Sequence, residues 1–201
     1  MGINKVKIIG IGNCGCRNVD MFRDNFDKAE YVLIDTDAGD LANNRQLVKN
    51  SMPFVRSIIS LQIGDGTGVN YSPERAEEMA MGETQSIKSI ISGTELVFII
   101  VGLGGGTGTG ASSVIAKCAK EIGATVIGVV TMPFSFEGVS RRNKAKDGIE
   151  KLKSVADGMV VFENEELLKG ELSVSAAEAI KLKYANYGEQ IREALAKAYD
   201  M

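Results

Sequence analysis

A glycine-rich segment at residues 104–110, Gly-Gly-Gly-Thr-Gly-Thr-Gly, has the residue types of a phosphate site. It follows the apolar run 95–103 and precedes the helix-compatible segment 111–123. Backbone amides at a helix N-terminus bind anions, and glycine lets a phosphate approach the main chain closely. Thr107 and Thr109 would add hydroxyl donors without a charge that needs pairing. The segment therefore predicts an anion cradle formed by Gly104, Gly105, Gly106, Thr107, Gly108 and Thr109.

A second glycine pattern, Gly10-x-Gly12-x-x-Gly15, follows the predicted strand 5–12. Asp35 ends the next predicted strand, at the distance where dinucleotide-binding proteins carry their ribose-binding acid. Alone, this pattern would favour an NAD(P)-dependent oxidoreductase, which remains the alternative. Two cradles at the ends of two strands instead indicate a ligand with a chain of phosphates.

A third loop, Gly-Asp-Gly-Thr-Gly-Val-Asn at 64–70, offers further backbone amides through Gly66, Thr67 and Gly68. We interpret it as a contact for the outermost phosphate, with a plain surface turn as the alternative. The P-loop pattern GxxxxGK[ST] does not occur in the chain. Without its lysine, backbone amides and a bound cation must neutralise the phosphates.

The loops require strands and helices that bring them together. Apolar runs predict strands at 5–12, 31–37, 95–103, 124–132 and 158–164. Helical spacing predicts helices at 18–26, 72–91, 111–123 and 139–156, and a long one near the C-terminus. Such an alternation predicts an α/β fold, a doubly wound and mainly parallel sheet with helices on both faces. Ligands bind such sheets at the carboxyl ends of the strands, where the glycine loops lie.

Composition excludes several classes of function. The net charge is −3, with 23 basic residues among 26 acidic ones, so no nucleic-acid partner is expected. No apolar run approaches the roughly 20 residues of a membrane span. Histidine is absent, which excludes histidine-based catalysis and histidine metal ligands, and the three cysteines are too few for a disulfide framework. We expect a cytoplasmic protein without direct membrane insertion or a metal site made of its own side chains.

Several segments together resemble the tubulin and FtsZ superfamily. The heptapeptide at 104–110 resembles that superfamily's signature. Five further segments resemble the superfamily's other nucleotide-binding loops: IIGIGNCG (8–15), IDTD (34–37), GDGTGVN (64–70), TMPFSFEG (131–138) and VVFENEELL (160–168). The resemblance implies an FtsZ-like GTP-binding domain at 1–172, followed by a closing central helix at 173–201. It also implies GTP or GDP as the ligand, Mg²⁺ with GTP, and a cytoskeletal or cell-division role.

The resemblance also implies roles for single residues. The loop that follows the strand 5–12, called the first loop below, would hold the diphosphate through Gly12, Asn13, Cys14, Gly15 and Cys16. The glycine segment at 104–110, called the second loop below, would hold the phosphate tail through Gly105, Gly106 and Thr107. Glu137 would meet the ribose, Arg141 the sugar or the phosphates, and Asn164 the base or the ribose. On the closing helix, either Tyr184 or Asn186 falls at the position that reads guanine. An amide can both donate to and accept from the base, which favours Asn186.

Two departures from the family pattern matter for function. In the segment VVFENEELL (160–168), which resembles the family's sixth loop, Glu163 stands where the family has a proline before the asparagine. Met201 falls where the family's central helix ends, so the acidic loop Asn-x-Asp-x-x-Asp and the second domain would be absent. We therefore expect weak or absent GTP hydrolysis in isolation, and whether Met201 is a natural end stays open. The expected partners are a second copy of the chain or a full-length FtsZ-like protein. An alternative function is a non-polymerising regulator of a full-length FtsZ-like filament.

Overall fold

The computed structural model describes residues 5–22, 29–55 and 57–169. In this part of the chain, six parallel strands form one sheet in the order β3-β2-β1-β4-β5-β6. The strands are β1 (Val6–Ile11), β2 (Glu30–Asp35), β3 (Ile58–Gln62), β4 (Leu96–Gly102), β5 (Thr125–Met132) and β6 (Gly158–Glu163). The order reverses between β1 and β4, which confirms the predicted doubly wound sheet.

The helices are α1 (Gly12–Arg17), α2 (Ala38–Ser51), α3 (Pro73–Gly82), α4 (Thr84–Ile91), α5 (Thr107–Glu121) and α6 (Val139–Lys153). Short 3-10 turns occupy Val19–Phe22, Ser135–Glu137 and Asn164–Lys169. The predicted closing helix at 173–201 lies outside the described residues. None of the helices within the described ranges has the length and apolar content that crossing a bilayer requires.

Alternate residues of the central strands face opposite sides of the sheet, and each side has its own core. Ile8 of β1 packs with α1 and α2 on one side, whereas Ile9 packs with α3 to α6 on the other. Both side chains are fully buried, and burial of one isoleucine contributes roughly 1.5–3 kcal/mol. The two cores hold the carboxyl ends of β1, β2, β4 and β5 at one edge of the sheet.

Several predicted boundaries were wrong, and two elements were not predicted. The first helix begins at Gly12 rather than at residue 18, and α5 begins at Thr107, inside the glycine segment, rather than at 111. Glu83 departs from helical geometry (φ −103°, ψ 15°), so the predicted helix 72–91 is two helices. The sequence analysis missed α2, whose sequence is mostly polar, and β3, which is a short edge strand. Glycine has a low helix propensity, so the sequence predicts that α1 and α5 begin after their glycines. Tertiary packing overrides this propensity, and both helices begin within the glycine-rich segments.

Candidate nucleotide-binding site

A cleft of about 490 Å³ lies at the carboxyl ends of the strands, and all three glycine loops contribute to its walls. Its lining begins with Ile11, which ends β1, and extends to Asn164, which follows β6. Clefts in doubly wound sheets form at this edge because helices and loops diverge where the strand order reverses. The volume is in the range of small-molecule sites.

The first loop turns directly from β1 into α1. Gly12 has φ +69°, a backbone conformation that favours glycine, and lines the cleft with Asn13 and Cys14. Gly15 lies below the cleft, where a Cβ atom would come within 2.2 Å of the Ile100 carbonyl oxygen, so glycine allows α1 to pack on β4. Of the residues predicted to hold the diphosphate, Asn13 therefore lines the cleft, whereas Gly15 lies where α1 packs on β4.

Cys16 also faces away from the cleft. Its buried thiol donates toward the carbonyl oxygens of Gly10 (3.3 Å) and Ile34 (3.6 Å). Burial, reinforced by the nearby Asp35, raises the pKa of the Cys16 thiol well above its usual value of 9.0. The side chain is a neutral part of the core, so only its backbone remains a candidate for a ligand contact.

The second loop is shaped by its own hydrogen bonds. The Gly104 amide donates to the Thr109 hydroxyl (2.8 Å), and Gly104 has φ +97°. Thr109 is buried, so its hydroxyl holds the loop instead of facing the cleft. Gly105 lines the cleft, and a Cβ atom there would meet nothing within 4 Å. Gly106, Thr107 and Gly108 complete this wall, so four of the six predicted cradle residues line the cleft.

Asp35 lies at the same end of the cleft as the second loop. One carboxylate oxygen accepts from the amides of Thr36 (2.7 Å) and Asp37 (3.4 Å), and the other has no hydrogen-bond partner among the described residues. Thr36 and Thr107 share a hydrogen bond between their hydroxyls (2.7 Å). Burial raises the pKa of Asp35 to about 6, although the two amides oppose the shift. A buried carboxylate with a free oxygen fits a proton, a water molecule or a cation.

The third loop closes the cleft from above. Its segment pairs with the end of β2, since Gly68 donates to the Thr36 carbonyl (3.0 Å) and Ala38 donates to the Gly66 carbonyl (3.0 Å). Thr67 and Gly68 line the cleft, whereas Gly66 lies in the turn with φ +84°. The Thr67 hydroxyl (2.7 Å) and the Thr67 amide (3.0 Å) both donate to Asp65. Because the Gly68 amide is bonded to Thr36, the predicted amide donors Thr67 and Gly68 are engaged within the loop, and both residues line the cleft without a free amide.

The opposite end of the cleft is built from the segment before α6. Glu137 accepts from the Phe134 amide (2.8 Å) and pairs with Arg141 (2.9 Å), and both charged residues line the cleft. The Arg141 Nε atom is buried and has no hydrogen-bond partner among the described residues. The arrangement presents a fixed carboxylate and a guanidinium with further N–H donors, which suit a sugar hydroxyl and an anionic ligand oxygen.

Two glutamates flank Asn164 and tie its loop to the same segment. Glu163 pairs with Arg142 of α6 (3.0 Å), and Glu165 accepts from the Ser135 amide. Asn164 lies between them and lines the cleft. The sequence analysis noted Glu163 only as a departure from the family pattern. The structure gives it a position: it links the Asn164 loop to α6.

The charge of the lining is strongly one-sided. Among the described residues, its carboxylates are Asp35, Asp37, Asp40 and Glu137, and its single cationic side chain is Arg141, which is already paired with Glu137. No group of three or more metal-binding side chains with suitable geometry exists within the described ranges. An anionic ligand would therefore need to bring a cation that its own oxygens help to hold.

The predicted site residues divide into three groups. Those that line the cleft are Gly12, Asn13, Cys14, Asp35, Thr67, Gly68, Gly105, Gly106, Thr107, Gly108, Glu137, Arg141 and Asn164. Those that lie behind it are Gly15, Cys16, Gly66, Gly104 and Thr109. Tyr184 and Asn186 lie outside the described residues. The sequence analysis did not name Thr36, Asp37, Asp40 or Tyr71 as site residues, and it included Val69 and Asn70 only as part of the third loop. Thr36 and Asp37 belong to the IDTD segment that it singled out.

Glycine loops at the ends of neighbouring parallel strands, two of them leading into α1 and α5, define a Rossmann-like α/β protein with a cleft at the point where the strand order reverses. Many families share this class of fold, so the family must come from the sequence itself.

The family model described as Tubulin/FtsZ family, GTPase domain, matches residues 5–170. The chain therefore belongs to the tubulin/FtsZ family, as the glycine segment at 104–110 and the accompanying loops indicated. The alternative of an NAD(P)-dependent oxidoreductase has no support from this match.

Curated relatives and solved structures agree with this assignment. The chain is 38% identical over 165 residues to cell division protein FtsZ 1 of Archaeoglobus fulgidus and 40% identical over 164 residues to cell division protein FtsZ of Aquifex aeolicus. These alignments cover 82% and 81% of the chain but only 43% of each relative. The structure of an FtsZ dimer from M. jannaschii has a TM-score of 0.76 and 32% identity, and the match covers 96% of this chain and 54% of that one. The chain thus spans about half the length of these relatives or less.

Proposed function

We propose that this chain binds GTP and GDP in the cleft and acts as the nucleotide-binding unit of an FtsZ-like cell-division or cytoskeletal protein. The observation that carries the proposal is the convergence of three glycine loops, all within the matched residues 5–170, on one cleft. Two of the relatives named above are cell division proteins, which supports the cellular role.

In this proposal the phosphates bind along the first and second loops. Residues 12–14 and 105–108 line the cleft at the N-termini of α1 and α5, where the helix dipoles favour negative charge. Gly105 has open space in front of it, which allows an oxygen to reach the main chain. The ribose and base then extend toward Glu137 and Asn164 at the opposite end.

We further propose that Mg²⁺ accompanies GTP. The four carboxylates of the lining repel a triphosphate, and its one arginine is already paired with Glu137. The oxygen of Asp35 that has no partner among the described residues adds to this negative charge. A magnesium ion held mainly by phosphate oxygens and water would supply the missing positive charge, and Asp35 is placed to accept from that water. Magnesium bound in this way polarises the phosphates of GTP.

Hydrolysis by this 201-residue chain alone is proposed to be weak. The family's acidic pattern, Asn-x-Asp-x-x-Asp, does not occur in the sequence. By the family resemblance, that loop acts on the nucleotide of a neighbouring subunit. Self-association is proposed by analogy, since the M. jannaschii relative was solved as a dimer. A cytoplasmic location belongs to the same proposal.

The first experiment is calorimetric titration of the nucleotide-free protein with GDP, GTP, ATP and NAD in magnesium buffer. Guanine-selective binding is expected, and light scattering with GTP then tests for assembly. Binding of NAD alone, or equal binding of ATP and GTP, would refute the proposed ligand.

A further inference from the structure

Asn70, which ends the third loop, and Tyr71, which follows it, both have a left-handed backbone conformation, which asparagine tolerates but which is unusual for tyrosine. Asn70 has φ +46° and Tyr71 has φ +60°, the left-handed region that residues with a Cβ atom rarely occupy. Both line the cleft beside the second loop. Residues held in this region persist only where their surroundings hold them, so the contacts of this segment determine its conformation.

Contacts from two directions hold the segment. Behind it, Gly106 is so close that a Cβ atom there would lie 2.4 Å from the Val69 side chain and 3.1 Å from the Ser72 nitrogen. On the other side, the Lys144 ammonium of α6 donates to the Tyr71 carbonyl (2.9 Å). This hydrogen bond links α6 to the strained pair and joins residues 73 positions apart.

Lys144 is suited to this contact by its position on α6. It lies one helical turn after Arg141, and residues three apart share a helix face. Arg141 lines the cleft, whereas Lys144 does not, so Lys144 acts on the ligand only through the loop. A second tie, from Lys151 of α6 to Glu77 of α3 (2.6 Å), keeps α6 beside the helix that follows the loop.

We propose that Lys144 is a positioning residue, which holds segment 69–71 against the phosphate end of the cleft and thereby sets the preference for GTP over GDP. The inference rests on the proposed nucleotide binding. Without the ammonium donor, Asn70 and Tyr71 can relax toward commoner backbone conformations, and the amides of the loop move away from the outermost phosphate. The diphosphate contacts on the first loop stay in place, because Lys144 does not touch that loop.

The test compares Lys144→Met, Lys144→Arg and the control Lys146→Met. Met keeps the length of the side chain without its charge, and Arg restores a charged donor. Lys146 is an exposed lysine of the same helix, so its variant removes the same charge without removing the contact. For each protein, calorimetry gives the ratio of GTP to GDP affinity, and hydrogen exchange reports the amides of 69–72.

In Lys144→Met, we expect the GTP/GDP affinity ratio to fall about three- to tenfold, as the loss of one partly exposed charged hydrogen bond implies. Exchange at 69–72 should become faster in the same variant. Lys144→Arg should restore both values, and Lys146→Met should match the wild type. Equal ratios and equal exchange in Lys144→Met and Lys146→Met would overturn the inference. Failure of the wild type to bind guanine nucleotides would instead refute the proposed function, whatever the exchange rates show.

Discussion

Two glycines of the second loop should respond in opposite ways to the same substitution by alanine. At Gly110, a Cβ atom would lie 1.9 Å from the Pro73 carbonyl oxygen and 2.8 Å from the Ala76 side chain, where α3 packs on α5. At Gly105, a Cβ atom would meet nothing within 4 Å, and the residue lines the cleft. The pair therefore separates a glycine required for packing from a glycine required for a ligand.

The structure gives the size of each effect. Gly110→Ala forces α3 and α5 apart, and overpacking of this kind costs about 1–3 kcal/mol, or about 2–12 °C in Tm for a chain of this size. Gly105→Ala should leave Tm unchanged or slightly raised, because alanine lowers the entropy of the unfolded chain by about 0.4–1 kcal/mol. Its methyl group would enter the space of a phosphate, and loss of one charged hydrogen bond weakens binding about 10- to 100-fold.

Thermal unfolding without nucleotide and calorimetric titration with GDP measure the two effects separately. Wild-type GDP affinity in Gly105→Ala would refute the placement of a phosphate at this loop. A wild-type Tm in Gly110→Ala would refute the close packing of α3 on α5. A large loss of Tm in Gly105→Ala would show that this glycine is structural after all.

Three further predictions follow from the charges of the cleft. Folding raises the pKa of Asp35 from 3.8 to about 6, so its contribution to the free energy of unfolding is lost as pH rises from about 4 to about 6. In urea unfolding, Asp35→Asn should therefore be more stable than the wild type by about 1–3 kcal/mol at pH 7.5 and equal to it at pH 3.5. A constant difference in the free energy of unfolding between the two proteins at all pH values would contradict this. Glu163→Gln should weaken GDP binding but not tripolyphosphate binding in calorimetry, because it removes the ion pair that ties the Asn164 loop to Arg142. The control is Glu150→Gln, at an exposed position of α6. Equal losses of affinity for GDP and tripolyphosphate in Glu163→Gln would instead show a general unfolding of the site. Chelation of magnesium should weaken GTP binding at least about tenfold, since the lining carries four carboxylates, and an unchanged affinity would refute the need for a cation.

The elements that carry the site could be predicted because their sequences permit few alternatives. Strand β4 is buried on both faces and is therefore continuously apolar up to its last glycine, and β5 is buried and apolar at most of its positions. A glycine-rich segment directly after such a strand requires close approach of the main chain to something else. By contrast, α2 has only three buried positions in 14 residues, so its sequence carries little periodic signal.

Residue types and order alone determined the doubly wound sheet, the edge of the sheet where the cleft forms, and the family. Tertiary structure decided which groups face the cleft. It placed the Cys16 side chain in the core, used the Thr109 hydroxyl to shape the second loop, and left one oxygen of Asp35 without a partner among the described residues. It also brought Lys144 to the Tyr71 carbonyl across 73 positions of sequence. Local sequence sets which elements form, because their hydrogen bonds and periodicity are local. The direction of a side chain depends on neighbours that only the packing of distant elements supplies.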